Sequence, residues 1–195
     1  GDALITVNDG KLKNQGIEFD LTTHILKSDN FKLDFTVNGE MLTNELVNMP
    51  IDPATGEEKL IDIAGAYGRS VGHSLYDFYI REWAGVDPDN GLPLWNVSYF
   101  DANNSSTLDA GEEILSLHEY QIENPNNSIS ETTTSVYQNA TQKYVGKSAI
   151  PKVRGAFRLS GQLHSFDFSS QFAYSLGGHA YDGAYASLMH NRQVG

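Results

Sequence analysis

Between Ile17 and Met41 apolar and polar residues alternate. One set runs Ile17, Phe19, Leu21, Thr23, Ile25, then Phe31, Leu33, Phe35, Val37, Gly39, Met41. The residues between them are Glu18, Asp20, Thr22 and His24, then Lys32, Asp34, Thr36, Asn38 and Glu40. A period of two predicts strands, because successive side chains point to opposite faces. The polar break Lys27-Ser28-Asp29-Asn30 predicts a hairpin turn. A one-residue slip would carry Glu18, Asp20 and Asp34 onto the apolar face, so the register is specified. The pattern recurs near the end. Val153, Gly155, Phe157, Leu159, Gly161 and Leu163 alternate with Arg154, Ala156, Arg158, Ser160 and Gln162. After His164-Ser165, Phe166 to Leu176 alternates again, with Asp167, Ser169, Gln171, Ala173 and Ser175 on the polar side.

Soluble sandwich strands usually have about five to six residues. A strand tilted across a bilayer needs about nine to eleven. These hairpins match the longer class. In outer-membrane barrels one side of each strand faces lipid and the other a wet lumen, which accommodates charges in mid-strand. A soluble antiparallel sheet with one wet face produces the same alternation. The second aromatic-rich hairpin favours the barrel.

Six strands are predicted, at about 15–26, 31–42, 74–84, 92–100, 151–163 and 166–178. The connections alternate in length: 27–30 is short, 43–73 long, 86–91 short, 101–150 long and 164–165 short. Barrels alternate short periplasmic turns with long extracellular loops. The region 122–142, poor in apolar residues, is predicted to be loop. Six strands are too few to close such a barrel, whose smallest bacterial examples have about eight.

Composition narrows the reading. The chain has 195 residues, no cysteine and a net charge of −12. Thiolate metal sites and disulfides are excluded. Nucleic acid is an unsuitable partner, because little here would neutralise phosphate. No apolar run is long enough for a transmembrane helix. Ten tyrosines and nine phenylalanines suit strands and interfacial girdles. The chain opens on Gly-Asp-Ala-Leu, without an initiator methionine or a leader-like segment, and stops in polar sequence. The expectation is a segment of a larger protein.

The residues then resemble a family. "GKLKNQGIEFDLTTHILKSDNFK" (Gly10 to Lys32) and "SLYDFYIREWAGVDPDNGLPLW" (Ser74 to Trp95) are similar to signature segments of the SusC/RagA family of TonB-linked outer-membrane proteins. "YVGKSAIPKVRGAF" and "FAYSLGGHAYDGAYASLMH" resemble its later segments, in the family's order. Residues 101–142 do not align. The resemblance implies an all-β fold: antiparallel strands forming part of a large transmembrane β-barrel of about 22 strands, with long extracellular loops. It implies import of oligosaccharide or peptide cargo across a Gram-negative outer membrane. A SusD-like surface lipoprotein would serve as lid, and the TonB complex would supply energy. The signal peptide, TonB-contacting segment, plug and final strands have no counterpart here, which places the chain in the later half of the barrel.

By parity the lumen-facing residues are Glu18, Asp20, His24, Asp34, Asn38, Glu40, Arg154, Arg158, Asp167 and Gln171. They could pair across strands, hold a plug or touch cargo, and cross-strand pairing is the simplest reading. Gly68-Arg69-Ser70-Val71-Gly72 matches G-x-S-x-G, which serves as a nucleophile elbow only between a strand and a helix. Acidic residues and His190 follow Ser70 in a permissible order. Asp101, Asn103, Ser105, Thr107, Asp109 and Glu112 stand at the liganding positions of an EF-hand-like calcium loop. Ser106 replaces the glycine expected at the turn, which favours a plain polar surface loop over a calcium site. The six histidines are spaced singly and form no zinc pair, with His24 on the lumen side and the others in loops or turns. No other cofactor is expected. Two alternative functions remain. One is a soluble extracellular β-sandwich that binds glycan or protein through Tyr76, Tyr79, Trp83 and Trp95, with Phe19, Phe35 and Phe157 in its core. The other is a serine hydrolase acting through Ser70.

Overall fold

A computed structural model describes residues 10–188. In chain order the elements are β1 (Lys11–Lys27), β2 (Phe31–Asn48), β3 (Asp62–Ala64), β4 (Tyr67–Arg69), β5 (Asp77–Arg81), β6 (Trp83–Val86), β7 (Pro93–Tyr99) and β8 (Glu113–Ile114). Then follow α1 (Leu117–Glu123), β9 (Ser130–Thr134), a 3-10 turn (Tyr137–Asn139), β10 (Gln142–Ser148), β11 (Val153–Leu163), β12 (Phe166–Leu176) and α2 (Gly183–Leu188). Two compact units result. Lys13–Asn44 with the described residues from Ser148 onward forms one, and Glu45–Lys147 with the described residues through Leu12 forms the other.

The first unit is an antiparallel meander of long strands in the order β1-β2-β11-β12. β1 and β2 have 17 and 18 residues, and β11 and β12 have 11 each. These lengths suffice to cross a bilayer, for which about nine to eleven are needed. Both tight turns lie at one end. Phe31 pairs with Leu163, and the His164 N–H donates to the Asn30 carbonyl at 2.9 Å. His164 takes φ 53°, the left-handed backbone that two-residue hairpin turns require. In the first turn the Ser28 N–H donates to the Phe31 carbonyl at 2.8 Å. At mid-sheet Gly39 pairs with Gly155. A Cβ on Gly155 would strike the Asn38 carbonyl and the Gly39 Cα. One on Gly39 would meet the Tyr174 hydroxyl at 2.5 Å and the Phe19 ring at 2.8 Å. Glycine is therefore required at both positions by close approach.

The second unit holds the conventional core. Its short strands form one sheet in the order β10-β5-β4-β3 and another in the order β6-β7-β8, with β9 also paired to β7. Tyr79 and Val97 are fully buried, with Phe78, Tyr99, Ile114 and Ala140 around them. Thr141 ties this core: its hydroxyl accepts from the Ser98 N–H at 2.7 Å and donates to the Ile114 carbonyl at 2.6 Å.

Several expectations need correcting here. The predicted strand 74–84 is two strands in different sheets, and 92–100 is the seven-residue β7. Neither pairs with the long meander. Phe78 and Tyr79 are consecutive yet both buried, so β5 is covered on both faces and has no wet side. A bulge at Gly85, with φ 116°, disrupts the register of β6. The stretches 43–73 and 101–150 are not loops, because they carry the end of β2, β3, β4, β8, α1, β9 and all of β10. Residues 122–142 include β9, whose Ser-Glu-Thr-Thr-Thr sequence pairs with Asn96, Val97 and their neighbours. As an exposed strand it needs no apolar residue, so hydrophobicity could not reveal it.

Candidate functional site

The strand registers settle which residues share a face. Arg154 pairs with Glu40 and Ser175, Arg158 with Thr36 and Gln171, Ser160 with Asp34 and Ser169, and Gln162 with Lys32 and Asp167. On β1, the Thr22 and Thr36 hydroxyls meet at 3.1 Å, His24 Nδ1 contacts the Asp34 carboxylate, and the Asn44 amide donates to Asn14 at 2.6 Å. All three contacts fit one register, which sets Glu18 opposite Glu40 and Asp20 opposite Asn38. The ten residues Glu18, Asp20, His24, Asp34, Asn38, Glu40, Arg154, Arg158, Asp167 and Gln171 thus lie on a single polar face. Thr22, Lys32, Thr36, Ser160 and Gln162 share it and were recoverable by the same parity. Arg154 forms an ion pair with Glu40. The acidic residues of this face outnumber the basic ones, so the face is net negative. A concavity of about 720 Å³ opens along residues 18–20, 38–40, 154–155 and 173–175.

The other face is an apolar surface, and no described residue of this unit forms a core over it. The Phe157 ring stacks on Phe172 at 5.1 Å and lies 6.4 Å from Phe35. Phe19 is 44% exposed, Ile17 70% and Phe166 77%. Burying a side chain of this size is worth about 1.5–3 kcal/mol, so leaving such a row uncovered in water would be costly. A soluble sandwich would have placed Phe19, Phe35 and Phe157 inside. Instead the buried core lies in the other unit, and Tyr79, expected on an exposed aromatic platform, is at its centre. Trp83 and Trp95 do pair across β6 and β7, edge to face at 5.7 Å.

Ser70 does not form a nucleophile elbow. It follows β4, but a turn comes next and not a helix. Its side chain is fully buried, and its hydroxyl is bonded to the Tyr144 hydroxyl at 2.6 Å. A nucleophile elbow needs an exposed Oγ. His190 lies outside the described residues.

The 101–112 loop closes on itself. The Asp101 carboxylate accepts the N–H groups of Ser105 (2.9 Å) and Ser106 (2.8 Å). Asp109 accepts from the Asn103 amide and the Ser105 hydroxyl, and Glu112 accepts from the Ala102 and Asp109 N–H groups. Ser106 adopts φ 61°, the left-handed conformation expected of the glycine it replaces. Thr107 contributes a carbonyl to the Ser105 hydroxyl. Among the described residues no group of three or more His, Asp or Glu is arranged to hold a metal.

One cluster was invisible in the sequence because its members are far apart. His73 stacks on Tyr144 at 3.6 Å and 3°, and His118 meets both rings edge-on at 5.6 and 5.4 Å. His118 lies in α1 rather than in a loop. Burial pushes the Tyr144 phenol up to about 12 against the opposing hydrogen bond from Ser70. Burial and then the neighbouring His73 pull the His118 imidazole below its ordinary value.

Comparisons with known proteins bear on the fold. No family model matches the sequence, and no curated protein matches it. Solved structures do. One of the RagAB peptide transporter superposes with a TM-score of 0.58 at 22% identity, over 86% of this chain and 15% of that chain. The RagAB peptide importer in its closed-closed state gives 0.62 at 20% identity, over 87% and 16%. Its open-open state gives 0.57 at 21%, over 87% and 15%. The chain therefore spans about 15% of the length of the structures it matches. The chain has a mostly antiparallel β-fold similar to part of those structures, and its sheets do not close into a barrel among the described residues. These neighbours are transporters, not enzymes.

Proposed function

We propose that this chain is part of the barrel wall of a SusC/RagA-type TonB-dependent importer in the outer membrane. The observation that carries the reading is the long meander with one unburied aromatic face and one charged face. In this account Phe35, Phe157 and Phe172 meet lipid. The ten polar-face residues line the lumen, where they contact the plug or passing cargo. The tight turns at 28–30 and 164–165 are the short periplasmic connections, and the long connection in the chain between β2 and β11 is extracellular. Cargo is an oligosaccharide or a peptide, moved by gated passage and not by bond chemistry. A SusD-like lipoprotein is the surface partner, and the TonB complex drives the cycle through parts of the protein with no counterpart here. The likeness to RagAB, whose solved structures are described as a peptide transporter and importer, supports this assignment.

Intact-complex mass spectrometry on detergent-solubilised membranes tests it. A parent several times longer than 195 residues, with a lipoprotein attached, is the expected result. A soluble parent of this length alone would overturn the proposal.

A further inference from the structure

The segment after β4 is tied to the end of β2 by two backbone bonds. The Gly72 N–H donates to the Leu46 carbonyl, and the Leu46 N–H donates to the His73 carbonyl, both at 2.9 Å. Leu46 itself is buried. The side chain that holds this segment down is His73. One face of its ring lies flat on Tyr144, and its edge meets His118 from α1. Tyr144 is fixed from beneath by the Ser70 hydroxyl and by the Tyr79 ring at 4.8 Å. The His118 N–H donates to the Tyr79 hydroxyl at 3.2 Å, so α1 is docked on the same cluster. Two imidazoles from distant parts of the chain thus share one packed aromatic site, with centroids 5.6 Å apart.

We propose that these rings form an acid-sensitive latch: with the His118 imidazole neutral they clamp residues 70–74 to the end of β2, and with it protonated the clamp opens.

The surrounding charges decide the direction. Asp77 on β5 faces His73, its carboxylate 3.3 Å from Nδ1. Tyr79 on β5 and Tyr144 on β10 present neutral phenols. His118 has Glu119 on its own helix and the Leu60 carbonyl in its favour, against burial and His73. Burial and a neighbouring positive charge both disfavour a second proton in the cluster. His118 is thus held below its ordinary 6.5. The stability drawn from its neutral form is complete above that value and is lost as the pH falls below it, because the opened state takes up the proton more readily. Histidine is the side chain whose ordinary titration lies in this range.

Hydrogen exchange on the full parent protein in detergent, corrected for intrinsic rates, tests the latch at about pH 7.5 and about pH 5.5. Protection of the Leu46 and Gly72 amides should fall severalfold at the lower pH, because the opened state takes up the His118 proton more readily. Protection in β7 should hold. In His118→Phe, which keeps a ring but cannot titrate, the fall should vanish. Equal protection at both pH values in the wild type would overturn the latch without need of any variant. So would an equal loss in β7, or an undiminished fall in His118→Phe.

Discussion

Replacing Phe35 by arginine should damage the sheet far more than the same replacement one residue earlier, at Asp34. Phe35 lies near the middle of the alternating stretch of β2, opposite Leu159 and 6.4 Å from the Phe157 ring. An arginine on the lipid side of a barrel costs about 2–4 kcal/mol at the midplane. Loss of the ring contact adds roughly 0.5–1.5 kcal/mol. The sum, about 3–5 kcal/mol, is about two to four decades in the folding equilibrium. Asp34 lies on the opposite face, and its side chain and that of its partner His24 are 39% and 72% exposed. Such a pair contributes about 0–1 kcal/mol, and a wet lumen accepts the new charge. The assay is an equilibrium denaturant titration of folding into lipid vesicles, with the parent protein and the two variants side by side. Equal losses in Phe35→Arg and Asp34→Arg would refute the face assignment. A larger loss in Asp34→Arg would reverse it.

Four further outcomes follow from the geometry. Gly155→Val should block assembly of the meander, because its Cβ has no room against the Asn38 carbonyl and Gly39 Cα; retention of a heat-resistant band on gels would contradict this. Ser70→Ala should cost about 1 kcal/mol by leaving the half-buried Tyr144 hydroxyl without its partner, and in a Tyr144→Phe background that cost should largely disappear from the thermal midpoint. Tyr144 should keep its proton well past pH 10 by ultraviolet titration. Its phenol is raised in the fold, so its contribution to stability is full below about 10 and is lost between there and about 12. Asp101→Ala should loosen the 101–112 loop by about 1–2 kcal/mol through two lost N–H acceptors, while calcium leaves exchange in the wild-type loop unchanged; slowing by calcium would restore the ion-binding reading.

The legible part of this fold is the part whose two faces meet different surroundings. Ile17 to Met41 and Val153 to Leu176 announce strand, register and face together, because every second side chain is held to one chemistry. The polar-face residues follow from the same parity. The unit between them is not legible that way. Its strands are two to seven residues long, and β5 buries Phe78 and Tyr79 on opposite sides, which erases the alternation. β9 is all serine, threonine and glutamate. The histidine cluster could not be read at all, since His73, His118 and Tyr144 meet only through tertiary packing. The G-x-S-x-G pattern failed for a related reason. A short motif fixes residue types but not burial, and here Ser70 is sealed inside.

The absence of cysteine from this chain makes the central claim directly accessible. Single cysteines placed from Leu33 to Asn38 in the parent protein, in membranes, would be labelled with a fluorophore and read for quenching by lipid-borne and by water-borne quenchers. The account predicts a period of two: lipid quenching at 33, 35 and 37, aqueous quenching at 34, 36 and 38. Apolar positions shielded from both quenchers, or no alternation between the two sets, would show that this face packs against protein and that the chain is not a barrel wall.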